Sequence, residues 1–297
     1  MEKVTSFEVE HDGVSRVRDY FSLLKPRVMS LVVLSGFTGL VLAPGNIHPF
    51  IAFVAILSIA VGAGASGAIN MWYDRDIDAI MLRTRNRPLV TGRISPSEAL
   101  AFGIWMSFFS VLVMLVCVNT ISAVLLLFTI LFYIVVYTMW LKRTTAQNIV
   151  IGGASGAFPP MIGWAAVTNN ISIESLSLFL IIFLWTPPHF WALALYKADD
   201  YRRCNVPMMP IVAGDLYTKK LIIFYTTLTV LSSFLPFYFN MVGYFYLFIS
   251  IMLGIIFIYN SLALLIDKKN ELAPKLFRFS IIYLFAILFA MIISKIL

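Results

Sequence analysis

The chain has 297 residues, of which 60% are hydrophobic and only 12% charged, with a mean hydropathy of +0.90 and a formal charge of +7. Soluble domains run at roughly 45–50% apolar and about 25% charged, so this composition excludes a soluble fold and describes an integral membrane protein. Two cysteines, Cys117 and Cys204, give neither a disulfide framework nor a metal-binding spacing, and no nucleic-acid partner is expected.

Residues 1–27 are polar and of mixed charge. They lack the apolar core of a signal peptide and are too acidic for an organelle transit peptide. They are expected to form a solvated cytoplasmic tail, with a short interfacial helix over 14–24. Residues 28–297 are expected to form a single transmembrane domain. Apolar runs of about 17–25 residues, enough to cross the hydrocarbon, recur along it. They predict nine spans: a short one over 28–43, then 48–70, 98–117, 120–141, 148–167, 174–195, 220–239, 242–266 and 277–295.

Nine spans put the tail and the loops after spans two, four, six and eight on one side. That side carries 21 of the 22 Lys and Arg residues, Lys295 being the exception. Such a bias marks the cytoplasmic face, here of a cell inner membrane. The same face carries 14 of the 15 acidic residues, all but Glu174. Acidic residues have little topogenic effect, so their one-sidedness points to chemistry on that face. A transporter open to both sides would show polar groups at mid-membrane and on both faces.

Where span two ends, the sequence reads "AINMWYDRDIDAIMLRTRNRPLVTG" over 68–92. Asn70, Asp74 and Asp78 recur every fourth residue, which on a helix keeps their oxygens on one face within about 80°. Asp76 points the opposite way. Like charges four apart repel, so the stripe is a poor structural choice. It is a suitable grip for a hard divalent ion such as Mg²⁺, which takes one or two carboxylates together with substrate phosphates. Arg83, Arg85 and Arg87 follow, and would hold the phosphate oxygens that the metal does not share.

Span four ends in Lys142–Arg143, which alone would be an interface anchor. Span six runs into Lys197, Asp199, Asp200, Arg202 and Arg203, a second acidic point that could equally be a solvated loop. Both acidic stretches read as an apolar span, carboxylates, arginines and a proline-containing return. This is a weak internal repeat with two half-sites facing one another. Small residues over 152–157 allow close helix packing. Tandem prolines at Pro159–Pro160 and Pro187–Pro188 cannot continue a regular helix. His189 follows the second pair and is the only histidine inside a span. Two readings stay open for it: a buried imidazole bonded to a carbonyl freed by the prolines, or a contact to a large flat substrate, with ligation of iron as one form.

Together "LLKPRVMSL", "NMWYDRDID", "RTRNRPLVTGRIS", "YTMWLKRTTAQNIVIGGASGAFPPMIGW" and "TPPHFWALALYKADDYRRCNVPMMP" resemble the UbiA-type intramembrane prenyltransferases. The first acidic motif belongs to that whole superfamily; the PPMIGW and TPPHFW blocks resemble its haem-modifying branch. The resemblance implies an all-α bundle of nine transmembrane helices around a central cavity open to the cytoplasmic face. It implies farnesyl diphosphate as donor, haem B as acceptor, haem O and diphosphate as products, Mg²⁺ as cofactor, and the downstream haem A synthase as a possible partner. Asn70, Asp74, Asp78 and Asp200 then match metal positions, with the three aspartates catalytic. Lys25, Arg83, Arg87, Lys142, Arg143 and Lys197 match diphosphate-binding positions, and His189 a haem contact. Two departures stand out: Tyr196 occupies the place of a second acid four residues before Asp200, which puts a second Mg²⁺ in doubt, and Cys204–Asn205 replaces a small Ala-Gly pair.

Loss of diphosphate from an allylic carbon leaves a cation that aromatic faces can stabilise. Trp72, Tyr133, Tyr137, Trp185 and Trp191 are the candidates. Rival functions are prenyl transfer to another acceptor such as a quinone precursor, transport of an ion, and haem delivery by a membrane scaffold.

Overall fold

The structure is a computed structural model and describes residues 17–297, the side chain of Arg27 excepted. The tail expected over 1–16, and so the start of the helix expected over 14–24, lie outside the described residues. Every regular element among the described residues is helical. In chain order they are α1 (Val17–Leu23), α2 (Pro26–Leu42), α3 (Pro49–Tyr73), α4 (Arg75–Ile80), α5 (Pro96–Cys117) and α6 (Thr120–Leu131). A π-helical run, Phe132–Leu141, leads into α7 (Lys142–Thr144). Then come α8 (Asn148–Gly152), α9 (Ala154–Ala157), α10 (Pro159–Thr168), α11 (Ile173–Tyr196), α12 (Ala198–Arg203) and α13 (Met209–Val212). The chain ends with α14 (Asp215–Ser232), α15 (Leu235–Tyr238), α16 (Tyr244–Ile266) and α17 (Ala273–Ile296).

Eight helical runs among the described residues are long and apolar enough to cross a membrane, and the pair α1–α2, bent by 61°, makes a ninth span. The protein is therefore a multi-pass membrane bundle with the expected order of spans. Local chemistry sets the boundaries. Ser95 opens α5 through a reciprocal capping box with Glu98, followed by Pro96 in the first turn. Asn119 caps α6 by accepting from the Ser122 amide, and Ser172 caps α11. These caps place the starts of α5, α6 and α11 within two residues of the predicted runs.

Three elements differ from expectation. The span predicted over 220–239 begins at Asp215, because Lys219 is buried with its ammonium on the Asp267 carbonyl. Pro159–Pro160 do end a helix and start the next, whereas α11 runs on through Pro187–Pro188. There Thr186 Oγ1 donates to the Ile182 carbonyl at 2.8 Å, just ahead of the Phe183 and Leu184 carbonyls that the prolines leave without an amide donor. The second half of span four winds as a π-helix.

Two apolar clusters fill the bundle. One joins α3, α5, α6 and α10; the other joins α11, α14, α16 and α17. Contacts of α17 with α2 and of α2 with α10 link the halves. The α2–α10 crossing is especially close. A methyl built on Gly163 would overlap the Gly36 carbonyl, and one on Gly39 would overlap the Pro160 backbone. Gly163→Ala must push these backbones apart, and overpacking of this kind costs about 1–3 kcal/mol. Thermal unfolding of the detergent-purified protein, followed by tryptophan fluorescence, should show a lowered Tm. Gly156→Ala, with nothing within 4 Å of the added methyl, should show no loss.

Candidate active site

Helix α3 does not stop cleanly at Tyr73. Asp74 both closes α3 and opens α4, with its amide on the Asn70 carbonyl (2.9 Å) and its own carbonyl accepting from Asp78 (2.8 Å). The helical register therefore persists through the hinge, and the predicted stripe forms. Asn70, Asp74 and Asp78 are all buried and turn inward, while the Asp76 side chain is 60% exposed.

Each member of the stripe meets a cation from another element. Lys25 Nζ donates to Asn70 Oδ1 at 2.7 Å. Asn70 Nδ2 donates to Asp74 Oδ2 at 2.7 Å and lies 3.2 Å from Thr138 Oγ1. Asp74 forms an ion pair with Lys142 and a longer one, 3.5 Å, with Arg143. Arg87 donates to Asp78 Oδ2 at 2.5 Å. Lys25, Tyr133 and Tyr137 are half-buried, Lys25 against Asn70 and the two tyrosines on the π-helical run that carries Thr138.

Arg143 is turned more to the rim than the sequence suggests. Its guanidinium forks onto Asp76 with two bonds of 2.8 Å and lies 4.9 Å over the Tyr73 ring. The Arg143 hydrogen bond holds the Asp76 carboxyl below its ordinary pKa of 3.8, against a smaller opposing push from burial.

The second acidic stretch docks against α4. Cys204 Sγ lies 3.7 Å from the Ile77 carbonyl as a donor. Burial first, then the nearby Asp200 carboxylate, push the Cys204 thiol up, and Asp78 adds to the push. Asp200 is 7% exposed and has no hydrogen-bond or ion-pair partner among the described residues. Burial raises the Tyr201 phenol, and the Arg83 charge opposes it most, placing exposed Arg83 within electrostatic reach of this loop. Lys197 is exposed over the Tyr196 ring at 5.6 Å, and Asp199 pairs locally with Arg202. Among the described residues no three His, Cys, Asp or Glu side chains converge as a ready ion cage. Asp200 therefore does not join Asp74 and Asp78 in a single cluster. The oxygen set at the stripe is one amide and two carboxylates, which suits an ion that also draws on substrate phosphate.

His189 is not bonded to a proline-freed carbonyl. Its Nδ1 lies 2.7 Å from Ser280 Oγ on α17, and its ring is sandwiched between Trp185 (4.3 Å) and Phe277 (4.5 Å). Trp185 Nε1 donates to the Ser280 carbonyl at 2.7 Å. Tyr196, in place of the expected acid, faces Phe277 at 6.1 Å and extends this aromatic wall. Tyr133 and Tyr137 pair at 5.4 Å, whereas Trp191 is fully buried against Tyr225 and belongs to the core. Trp72 carries Arg75 over its ring at 5.7 Å. Thr138, Phe277 and Ser280 were not apparent from the sequence, because hydroxyl and phenyl groups in apolar runs carry no signal of their own.

The fold and this inward acidic stripe define a membrane prenyltransferase: residues 32–288 match the model described as the UbiA prenyltransferase family, to which the chain belongs. Its relatives include the protoheme IX farnesyltransferases of Rickettsia bellii, 58% identical over 92% of this chain and 91% of that one, and of Rhizobium leguminosarum bv. trifolii, 61% identical over 94% and 89%. The fold is similar to a solved digeranylgeranylglyceryl phosphate synthase (TM-score 0.79, 20% identity, 94% and 98% covered). It is also similar to a UbiA homologue from Archaeoglobus fulgidus bound to DMAPP and Mg²⁺ (TM-score 0.66, 19% identity, 92% and 99% covered).

Asp76→Asn should remove the Arg143 fork at an exposed rim, costing about 0.5 kcal/mol after solvent screening. The carboxyl's folded pKa is depressed, so this increment is present above its unfolded value and is lost as pH falls through the folded one. Unfolding of wild type and variant should differ at pH 7, begin to converge as pH falls below the ordinary value of 3.8, and coincide only below the depressed folded one.

Proposed function

We propose that this chain transfers the farnesyl group of farnesyl diphosphate to a vinyl group of protohaem IX, giving haem O and diphosphate. The observation that carries the chemistry is the buried Asn70–Asp74–Asp78 stripe meshed with Lys25, Arg87 and Lys142. The relatives' name supplies the acceptor and favours haem over a quinone precursor and over ion transport.

Asn70, Asp74 and Asp78 would hold a Mg²⁺ ion, with Asp200 completing the acidic rim. Its chemistry there is to neutralise charge on the diphosphate. The cations do the complementary work. Lys25, Arg87 and Lys142 exchange a carboxylate or amide oxygen for phosphate oxygens, and Arg83, Arg143 and Lys197 close on the group from the rim. As the allylic C–O bond breaks, its electron pair leaves on diphosphate, where these donors already stand. The vinyl π-electrons then attack the farnesyl carbon, one water adds to the resulting centre, and its proton leaves with diphosphate. Tyr133 and Tyr137 border the isoprenoid and face its positive charge. The Trp185–His189–Phe277 stack presents a flat face and one imidazole to haem.

In this reading the central cavity opens to the charged face, which is the cytoplasmic side of a cell inner membrane, and the product passes to haem A synthase. Asp74→Asn should lower turnover at least about a hundredfold, the scale of losing a preplaced charge at a developing anion, while the protein still inserts and purifies. The check is mass spectrometry of haem extracted after incubation with farnesyl diphosphate and Mg²⁺. Wild type should add one farnesyl and one hydroxyl group. Unmodified haem from wild type, or full turnover by the variant, would refute the assignment.

A further inference from the structure

On the outer face of α16 and α17, at the charged end of the bundle and on elements that contribute no diphosphate ligand, lies an open groove of about 520 Å³. Its lining is ordered along the membrane normal. Glu271 stands at the mouth, just before α17 begins. Lys275 and Arg278 follow on the first turns, and Phe279 and Ile282 lie deeper, across from Ile256 and Tyr259 of α16. From Glu271 to Ile282 is 11 residues of which those from Ala273 are helical, a depth of roughly 15 Å at 1.5 Å per residue.

The charges in this groove are unmatched. Glu271, Lys275 and Arg278 are exposed and make no hydrogen bond or ion pair with any described residue. Asn260, only 7% exposed, uses its amide N–H on the Ile256 carbonyl (2.8 Å), while its Oδ1 accepts from no described residue. That oxygen keeps accessible surface in the groove lining, so it can take a donor from whatever fills the groove. Two adjacent cations would suit any phosphate. The carboxylate above them disfavours a purely anionic headgroup and favours one that ends in a donor-bearing ammonium.

We propose that this groove binds a zwitterionic aminophospholipid from the leaflet at the charged end. Its phosphate sits between Lys275 and Arg278, its primary ammonium meets Glu271, and an acyl chain lies along Ile256, Phe279 and Ile282. The sequence of ammonium, phosphate and hydrocarbon in such a lipid matches the sequence of carboxylate, cations and apolar side chains down the groove. A polar group of the headgroup or glycerol region donates to Asn260 Oδ1. The proposal rests on the fold alone and stands whether or not haem is the acceptor.

Native mass spectrometry of the full chain released from vesicles of equimolar phosphatidylethanolamine, phosphatidylglycerol and phosphatidylcholine tests this. Wild type should retain one phosphatidylethanolamine, with at least about tenfold preference over the other two. Glu271→Gln should retain one lipid but shift the preference towards phosphatidylglycerol. The pair Lys275→Gln, Arg278→Gln should retain neither. Ile282→Trp, which fills the apolar half without changing charge, should also lose the lipid. Equal retention of the three lipids by wild type, an unchanged profile in Glu271→Gln, or lipid kept by the Lys275→Gln, Arg278→Gln pair or by Ile282→Trp overturns the idea. Displacement by millimolar inorganic phosphate alone would mark a simple anion site and overturn it as well.

Discussion

The charged end of this bundle depends on one constraint: three oxygen-bearing side chains stand buried on a single helical stripe. An ionised carboxylate removed from water costs several kcal/mol unless paired, and breaking such a pair costs a similar amount. Asp74 and Asp78 are almost wholly enclosed, so their partners are as obligatory as any core contact. The cations of the stripe come from far apart in the chain: Arg87, from the loop after α4, pairs with Asp78; Lys142, from the end of span four, pairs with Asp74; and Lys25, from the elbow between α1 and α2, bonds Asn70. The polar contacts of the stripe therefore add to an apolar cluster of Leu23, Ala68, Met71, Leu89 and Ile94 that already joins the elbow, α3 and the loop after α4. The same pairing explains how such a site can work. A cation held by a carboxylate can swap that oxygen for one on a phosphate without ever losing a partner.

Much of this was legible beforehand because two simple periods carry it. Runs of apolar residues gave nine spans in their true order, and the spacing of four put Asn70, Asp74 and Asp78 on one inward face with Asp76 outside. What escaped lies in contacts between spans. The π-helical run has no distinct composition; it shows in the backbone, where the Lys142 amide bonds the Tyr137 carbonyl five residues back, and Thr138 Oγ1 bonds the Tyr133 carbonyl inside it. That wider turn keeps Thr138 against Asn70 while Lys142 reaches Asp74. The start of α14 was missed because Lys219 and Lys220 read as the end of an apolar run, whereas Lys219 is buried on a carbonyl of another loop. The partner of His189 lies 91 residues away, a serine that nothing in its own neighbourhood distinguishes.

The weak internal repeat also acquires a physical meaning. The first half ends in two buried carboxylates, and the second keeps one, Asp200, with Tyr196 where another acid could stand. An ion with two acidic clusters would need a second set of compensating charges at the same depth. Tyr196 removes that need and instead joins Phe277, His189 and Trp185 in a continuous aromatic surface. The buried carboxylates thus gather mainly at the first stretch, while the second half carries the stacked rings of Trp185, His189 and Phe277.

The elbow at Lys25 shows how firmly the first segment belongs to this arrangement. Lys25 adopts φ 52° and ψ 57° immediately before Pro26. A left-handed conformation costs a side-chain-bearing residue roughly 1–2 kcal/mol, and a following proline disfavours helical backbone further. Glycine would relieve the cost but would bring no ammonium to Asn70. The surroundings hold the strained residue instead. Gly64 and Gly67 leave room for Leu24 and the Lys25 stem, where a methyl on Gly64 would press on Leu24 at 2.9 Å. Arg93 secures α1 from the other side, donating to Asp19 at 2.8 Å, to the Asn86 carbonyl at 2.9 Å and to Thr91 at 2.9 Å. Backbone strain of this kind persists where neighbouring contacts overdetermine it, and it concentrates at functional sites. A lysine kept there against both its own side chain and the next residue is best explained by what its charge does at the stripe.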